Sequence, residues 1–174
     1  MNPSDSLPLL PLTGVGYDVH RFVSGRPLFL GGVEIDHPFG LDGHSDADVL
    51  IHAIADAILG AIGEQDIGHH FPNTDAAFRG ISSVELLRRV VDVLKRAGGR
   101  LVNIDSSLVA EAPKIGPHIA RMRDTLAPVL GLSPARVGIK ATTNERLGFL
   151  GRQEGIAAFA VASVLMPDVP SAGH

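Results

Sequence analysis

Residues 49–63 read VLIHAIADAILGAIG, and how this segment folds decides the architecture. Apolar residues sit nearly all the way round it, where a surface helix would show a single apolar stripe. It is therefore expected to be a buried helix, covered by other elements on more than one face. Ser45, three residues ahead of Asp48, fits a capping-box start. The polar exceptions are Asp48, His52 and Asp56, which fall at i, i+4 and i+8 and so form one stripe.

On the N-terminal side, residues 13–21, TGVGYDVHR, read as a strand, and SGRP turns the chain into LFLGGVEI. A Gly-, His- and Asp-rich loop, DHPFGLDGHSDAD, then leads into the helix. On the C-terminal side, residues 64–79 show no periodicity and carry DIGHHFPNTD, a long loop of the kind that is usually functional or mobile. SSVELLRRVVDVLKRAGG is a second helix, with Ser82 and Glu85 as a capping box and Gly98 as its stop. RLVNIDSSLVAE alternates as a strand, and GPHIARMRDTLAPVLG is a third helix with Pro117 near its first turn. RVGIKATT and GIAAFAVASVLM close the chain as strands. The expected fold class is α/β (α+β): one domain with a mixed β-sheet and helices on one face. Its boundaries are residues 13–165, between a flexible leader (1–12) and a flexible tail (166–174).

Composition narrows the function. The chain has 174 residues, enough for one domain with a sizeable core, and 45% of them are hydrophobic, which excludes a disordered chain. A net charge of −4 argues against a nucleic-acid binder. With no cysteine there is no disulfide and no thiolate chemistry, so any metal must rest on His, Asp and Glu. MNPSDSLPLLPL lacks the basic start of a signal peptide, and no apolar run reaches a membrane span. The expectation is a cytoplasmic protein that binds neither nucleic acid nor membrane.

In a strand, Asp18 and His20 share a face. Alone, such a pair is more often satisfied by local hydrogen bonds than by a metal. A polar stripe on the helix likewise has plain readings, facing solvent or pairing internally. Together, Asp18, His20 and His52 offer three N/O ligands and leave a fourth position open, the layout of a catalytic zinc site. Asp48 and Asp56 are then expected to orient His52. His44, in GHSDAD, is a further ligand, a contact to a substrate oxygen, or an aid to the helix start. His69 and His70 are adjacent and make a poor chelate; His37, His118 and His174 have no partners in sequence.

Two further strings suit an anion. KATTNERLGFLGR gathers Lys140, Thr142, Thr143, Glu145 and Arg152 at a strand end, where hydroxyls and N–H groups cradle phosphate oxygens and a Glu holds hydrated Mg²⁺. AEAPKIGPH places Lys114 in a shaped loop before a helix. GVG is no dinucleotide fingerprint, because the third Gly and the following helix are missing.

In order, GYDVHRF, GGVEI, GLDGHSDADVLIHAIADAILGA, DIGHHFPNTD, EAPKIGPH and IKATTNERLGFLGRQEGIA closely resemble the 2-C-methyl-D-erythritol 2,4-cyclodiphosphate synthase family across residues 13–165. The resemblance implies a phosphorus–oxygen lyase of non-mevalonate isoprenoid biosynthesis. Its substrate is 4-diphosphocytidyl-2-C-methyl-D-erythritol 2-phosphate, whose 2-phosphate attacks the β-phosphorus and expels CMP. It implies a homotrimer with sheets around the axis and active sites between subunits. By motif, Asp18, His20 and His52 match zinc ligands, and Glu145 matches the ligand of a second divalent ion, Mg²⁺ or Mn²⁺. His44 and Thr143 match residues that assist the transition state. Contacts to the methylerythritol phosphate portion are matched by Ser45, Asp66, Gly68, Phe71, Pro72, Asn73, Thr74 and Asp75, and Asp18, Val19, His20, His44 and Ile67 match substrate contacts more generally. Those to cytidine diphosphate are matched by Ala110, Glu111, Ala112, Pro113, Lys114, Ile115, Gly116, Thr142 and Thr143, with Asn144, Glu145, Phe149 and Arg152 as further substrate contacts. The sequence departs from the family pattern at Asn144, where Thr or Ser is commoner, and at Asn73, where Asp is frequent.

Two rivals remain at this stage. A metal-dependent hydrolase would cleave the same class of diphosphate ester with water. A trimeric binding module would need a fourth protein ligand to close the metal site.

Overall fold

The computed structural model describes residues 8–72 and 80–168. The elements run β1 (Leu9–Ser24), β2 (Leu28–Leu30), β3 (Val33–Ile35), β4 (Phe39–Leu41), α1 (Val49–Ala61), α2 (Ile67–His70) and α3 (Ser83–Arg96). They continue with β5 (Arg100–Val109), α4 (Ile119–Leu130), β6 (Val137–Thr142), α5 (Gly148–Gly151) and β7 (Gly155–Pro167). The main sheet has the order β4-β1-β7-β5-β6, and β2 and β3 form a separate hairpin. Only the β5–β6 pair is parallel, joined by the α4 crossover; the rest of the sheet is antiparallel. This is the expected mixed sheet with helices on one face.

The all-round apolar helix is α1, and Leu50, Ile51, Ile54, Ile58 and Leu59 on it are fully buried. Each such side chain contributes roughly 1.5–3 kcal/mol when removed from water. The helix lies between the sheet and α3, and the sheet beneath it is lined with small residues. Gly14 and Gly16 on β1 and Ala158, Ala160 and Ala162 on β7 face it. A Cβ at Gly16 would stand 1.9 Å from the Ala53 carbonyl oxygen, and one at Gly14 would stand 2.1 Å from that of Ala57. The GVG string therefore serves backbone contact between strand and helix.

The opposite face of the sheet is apolar yet open. Val15 pairs with Val161 and Tyr17 with Phe159 in register, and all four are exposed. The Tyr17 and Phe159 rings are 4.7 Å apart. Among the described residues, no helix is long and apolar enough to cross a membrane.

Several local expectations are corrected. The cap of α1 is Asp48, with extended backbone and its carboxylate accepting from Ile51 N, and Ser45 lies outside the cap. Ser82 caps α3 as expected, but Glu85 pairs with Arg88 and Arg89. Pro117 sits in a separate 3₁₀ turn, Gly116–His118, ahead of α4. The loops on either side of α1 contain β4 and α2, elements of three and four residues that are too short to leave a periodic signal. β1 begins at Leu9, inside the expected leader, because Leu9–Leu12 pair with Val164–Pro167 of β7.

Candidate metal centre

The period-2 geometry of β1 puts Asp18 and His20 on the face that carries Gly14 and Gly16, the face covered by α1. Because α1 rests on those glycines, His52 comes down onto the same spot. His52 Nδ1 lies 3.0 Å from Asp18 Oδ2 and 3.1 Å from His20 Nε2, and His20 Nε2 lies 2.9 Å from Asp18 Oδ2. The three donor atoms all fall within 4.8 Å of one another, a group able to hold a metal ion.

The outward nitrogen of each imidazole is also engaged. His20 Nδ1 is 2.6 Å from the Asp42 carbonyl oxygen, which accepts its N–H. His52 Nε2 lies 3.1 Å from Ser83 Oγ and 3.2 Å from Ser45 Oγ. With those nitrogens protonated, Nε2 of His20 and Nδ1 of His52 are left as lone-pair donors facing Asp18, the arrangement a divalent cation requires. The residues present thus fit the ion.

Electrostatics agree. Burial opposes ionisation of Asp18, but hydrogen bonds from His20 and His52, and their charge, hold its carboxyl well below the usual range. Burial also opposes the charged form of His20. The Asp18 carboxylate outweighs it, assisted by the Asp42 carbonyl, and raises the imidazole above its ordinary value.

Neither expected orienter bonds its carboxylate to the His52 imidazole. Asp48 turns back to the helix start and the β2–β3 hairpin, accepting from Gly31 N (2.9 Å), Gly32 N (2.7 Å) and Ile51 N (3.1 Å). Asp56 accepts from Ile67 N at 2.9 Å and so fixes α2 against α1. Burial, with Asp66 and Asp18 nearby, raises the Asp56 pKa against the pull of that N–H. The serines at 45 and 83 take the orienting place.

Around this centre the loop 42–46 is pinned from outside. Arg26 donates to the carbonyls of Gly43 and Ser45, on either side of the exposed His44. Val19, exposed on β1, donates its N–H to Asp18 Oδ1 at 2.8 Å. Asp66 caps α2, with Oδ1 accepting from His69 N at 2.9 Å; Ile67 and Gly68 follow in that helix, then Phe71 and Pro72. Asn73, Thr74 and Asp75 lie outside the described residues.

The second group of expected residues converges on a cavity of about 310 Å³ lined by Ala110, Glu111, Pro113, Lys114, Ile115, Gly116, Thr142 and Thr143, with Ala112 in the same segment. Beside it, Thr143 Oγ1 donates to Glu145 Oε1 at 3.0 Å. Glu145 and Arg146 both have left-handed backbone, with φ of 50° and 62°. The Glu111 carboxylate steadies them: Oε1 accepts from Asn144 N and Arg146 N, each at 3.0 Å. Asn144 Nδ2 donates to the Leu147 carbonyl at 2.7 Å, and Arg152 is paired with Glu154 at 2.6 Å. Phe149 is exposed on α5. A larger cavity, about 420 Å³ between α3 and α4, contains none of the residues singled out from sequence.

Sequence reasoning missed Asp42, Asp46, Ser83 and the clamp role of Glu111. They act through backbone groups or across long stretches of chain, and no spacing rule links them to the ligands.

A mixed α/β domain with an Asp-His-His group able to hold a metal ion, and a separate cavity at the far side of the same sheet, is a frame for a metal-assisted enzyme. The chain belongs to the YgbB family, whose pattern it matches over residues 12–165. It is 58% identical over 161 residues to a 2-C-methyl-D-erythritol 2,4-cyclodiphosphate synthase of Akkermansia muciniphila, covering 92% of this chain and 95% of that protein. A solved structure of a bifunctional IspDF from Campylobacter jejuni superposes with a TM-score of 0.87 at 43% identity, over 91% of this chain and 43% of that longer one. A solved 2-C-methyl-D-erythritol 2,4-cyclodiphosphate synthase with CDP bound superposes with a TM-score of 0.81 at 37% identity, over 87% of this chain and 99% of that one.

Proposed function

We propose that this chain converts 4-diphosphocytidyl-2-C-methyl-D-erythritol 2-phosphate to 2-C-methyl-D-erythritol 2,4-cyclodiphosphate and CMP. The observation that carries the reading is the convergence of Asp18, His20 and His52 within 4.8 Å, with the far nitrogen of each imidazole engaged by an oxygen of its own. In this reading they hold one zinc ion, and Glu145 holds a second divalent ion, Mg²⁺ or Mn²⁺, together with the diphosphate. A lone exposed carboxylate suits such an ion, which binds through one or two carboxylates plus substrate phosphates. When bound, the two ions supply charge neutralisation and polarisation of the diphosphate oxygens.

The protein's own work is placement. The 110–116 segment with Thr142 and Thr143 seats the cytidine diphosphate end. Ser45, Asp66, Ile67, Gly68, Phe71 and Pro72, with Asn73, Thr74 and Asp75, seat the methylerythritol phosphate end. Phe149 and Arg152 add contacts, Arg152 by exchanging Glu154 for a substrate oxygen. With both ends held, an oxygen of the 2-phosphate attacks the β-phosphorus. That bond forms as the bond to the oxygen bridging the α- and β-phosphorus breaks, and CMP leaves with that oxygen. No water is consumed. The nucleophile is already an anion, so no strong general base is needed; His44 and the Thr143 hydroxyl donate hydrogen bonds to oxygens that gain charge. Holding the reacting groups in line supplies several kcal/mol, against about 7–11 kcal/mol in ideal intramolecular cases.

The working assembly in this reading is a homotrimer whose sheets surround the axis and whose active sites lie between subunits. The open apolar face of Val15, Tyr17, Val19, Phe159 and Val161 supports it, because a contiguous patch of this kind marks an interaction surface. The reaction run in ¹⁸O water separates the proposal from hydrolysis. The cyclic diphosphate should form with CMP and carry no solvent label. A linear, ¹⁸O-labelled phosphate product would establish a hydrolase instead.

A further inference from the structure

His52 can hold a cation at Nδ1 only as the neutral tautomer with its proton on Nε2. The Asp18 carboxylate, 3.0 Å from Nδ1, draws the proton to the wrong nitrogen, so something must hold it at Nε2. Two hydroxyls stand at Nε2, and they differ in what lies behind them. Ser83, the first residue of α3, is fully buried, and its hydroxyl donates to Asp46 Oδ1. Its backbone N–H donates to the other oxygen, Asp46 Oδ2, at 3.0 Å. The Ser83 proton is thus committed to a carboxylate, and its lone pairs face His52 Nε2 at 3.1 Å. The Ser45 hydroxyl, 3.2 Å from the same nitrogen and 3.5 Å from Ser83 Oγ, accepts from Ala47 N at 3.0 Å and has no carboxylate partner among the described residues.

We propose that Asp46 and Ser83 form a relay, carboxylate to hydroxyl to imidazole, that fixes the tautomer of His52 and aims Nδ1 at Asp18 and His20. Both are positioning residues, because Ser83 acts through the His52 imidazole and Asp46 through Ser83. The relay ties three distant segments together: the loop entering α1, α1 itself and the start of α3. Its hydrogen bonds run in one direction, so the negative charge of Asp46 polarises Ser83 and strengthens its acceptance of the His52 proton. The relay rests on the reading of His52 as a metal ligand, and it adds residues that neither composition nor spacing indicates. A partner of this kind typically accounts for about 10–100-fold in metal affinity.

The test uses the full chain in metal-free and zinc-loaded forms. In the metal-free parent, ¹⁵N shifts of the His52 ring should report a protonated Nε2 despite the Asp18 carboxylate 3.0 Å from Nδ1. Ser83→Ala should shift the proton toward Nδ1 and Asp18 and weaken zinc, in competition with a chromophoric chelator, by about 10–100-fold. Asp46→Asn leaves the hydroxyl in place while removing its charge. It should give a loss of the same kind, and the double variant should lose little more than Ser83→Ala, as expected for residues acting in series. Ser45→Ala should lose less than Ser83→Ala. A folded Ser83→Ala protein with parental zinc affinity and an unchanged ring signal would overturn the relay, as would a larger loss from Ser45→Ala. If Ser83→Ala lowers only thermal stability, the serine is structural and the relay is refuted. A parent that binds no zinc defeats the metal assignment instead, and the tautomer signal then judges the relay separately.

Discussion

Replacing Gly16 by alanine should pull the strand that carries two metal ligands away from the helix that carries the third. A Cβ at this position would lie 1.9 Å from the Ala53 carbonyl oxygen and 2.8 Å from Ala57 N, both backbone atoms that cannot rotate aside. Carbon–oxygen contacts settle at about 3.3 Å or more, so α1 must retreat from β1 by about 1.4 Å. His52 moves with it, and its 3.0 Å approach to Asp18 opens by a comparable amount. Ligand distances in a metal site tolerate only about 0.2 Å. Zinc affinity should therefore collapse, and turnover should fall by about 100-fold, as for a misplacement near 1 Å. Overpacking of this kind costs about 1–3 kcal/mol, which lowers Tm by about 2–12 °C in a domain of this size. Gly60→Ala is the matched control, since its Cβ would meet only the Val15 carbonyl oxygen at an ordinary 3.8 Å. In a helix interior it should add roughly 0.5–1 kcal/mol of stability and leave zinc binding alone. Calorimetry with chelator competition reads both variants. A Gly16→Ala protein with parental Tm and zinc affinity would refute the close-packing argument.

The other perturbations address separate parts of the site. Glu111→Ala frees Asn144 N and Arg146 N and should lower kcat and raise the Mg²⁺ requirement while zinc content stays at the parental level; Glu111→Gln keeps an acceptor and should recover most of the rate. Asp48→Ala strips the acceptor from three N–H groups in a fully buried place, and at about 1–3 kcal/mol for each unsatisfied group it should cost at least about 3 kcal/mol in denaturant unfolding. The pH dependence of the metal-free protein follows from the Asp18–His20 pair. The lowered Asp18 contributes stability above its ordinary 3.8, lost as pH falls below that; the raised His20 contributes stability below its ordinary 6.5, lost as pH rises through its folded value. Zinc requires neutral imidazoles, so the Tm gap between zinc-loaded and metal-free protein should widen as pH rises above 6.5; a gap that narrows would count against these ligands.

The core helix was legible because no surface helix could carry that sequence, and the strand pair Asp18/His20 was legible because period two places both on one face. His52 followed from being the imidazole on the buried helix. Asp48 misled for a physical reason. Four residues before His52 it would stand on the same helix face, but as the N-cap it has φ −70° and ψ 93°, which turns its carboxylate toward Ile51 N and the hairpin glycines. Ser83 was invisible because its link to His52 spans 31 residues and depends on where α3 packs. Glu111 was read as part of the pocket wall, and its bond to the Asn144–Arg146 backbone emerges only when β5 and β6 pair in parallel. The small elements β4 and α2 escaped because three or four residues cannot establish a period.

Zinc K-edge absorption on the purified chain tests most directly whether one cation sits between β1 and α1 with a corner left for substrate. The expected result is one zinc per chain, bound by two imidazole nitrogens at about 2.0–2.1 Å and a carboxylate oxygen at about 2.0–2.2 Å, with a fourth light-atom position that changes when CDP is added. A zinc signal that survives unaltered in a His52→Ala protein, or a fourth protein ligand that CDP leaves in place, would contradict it.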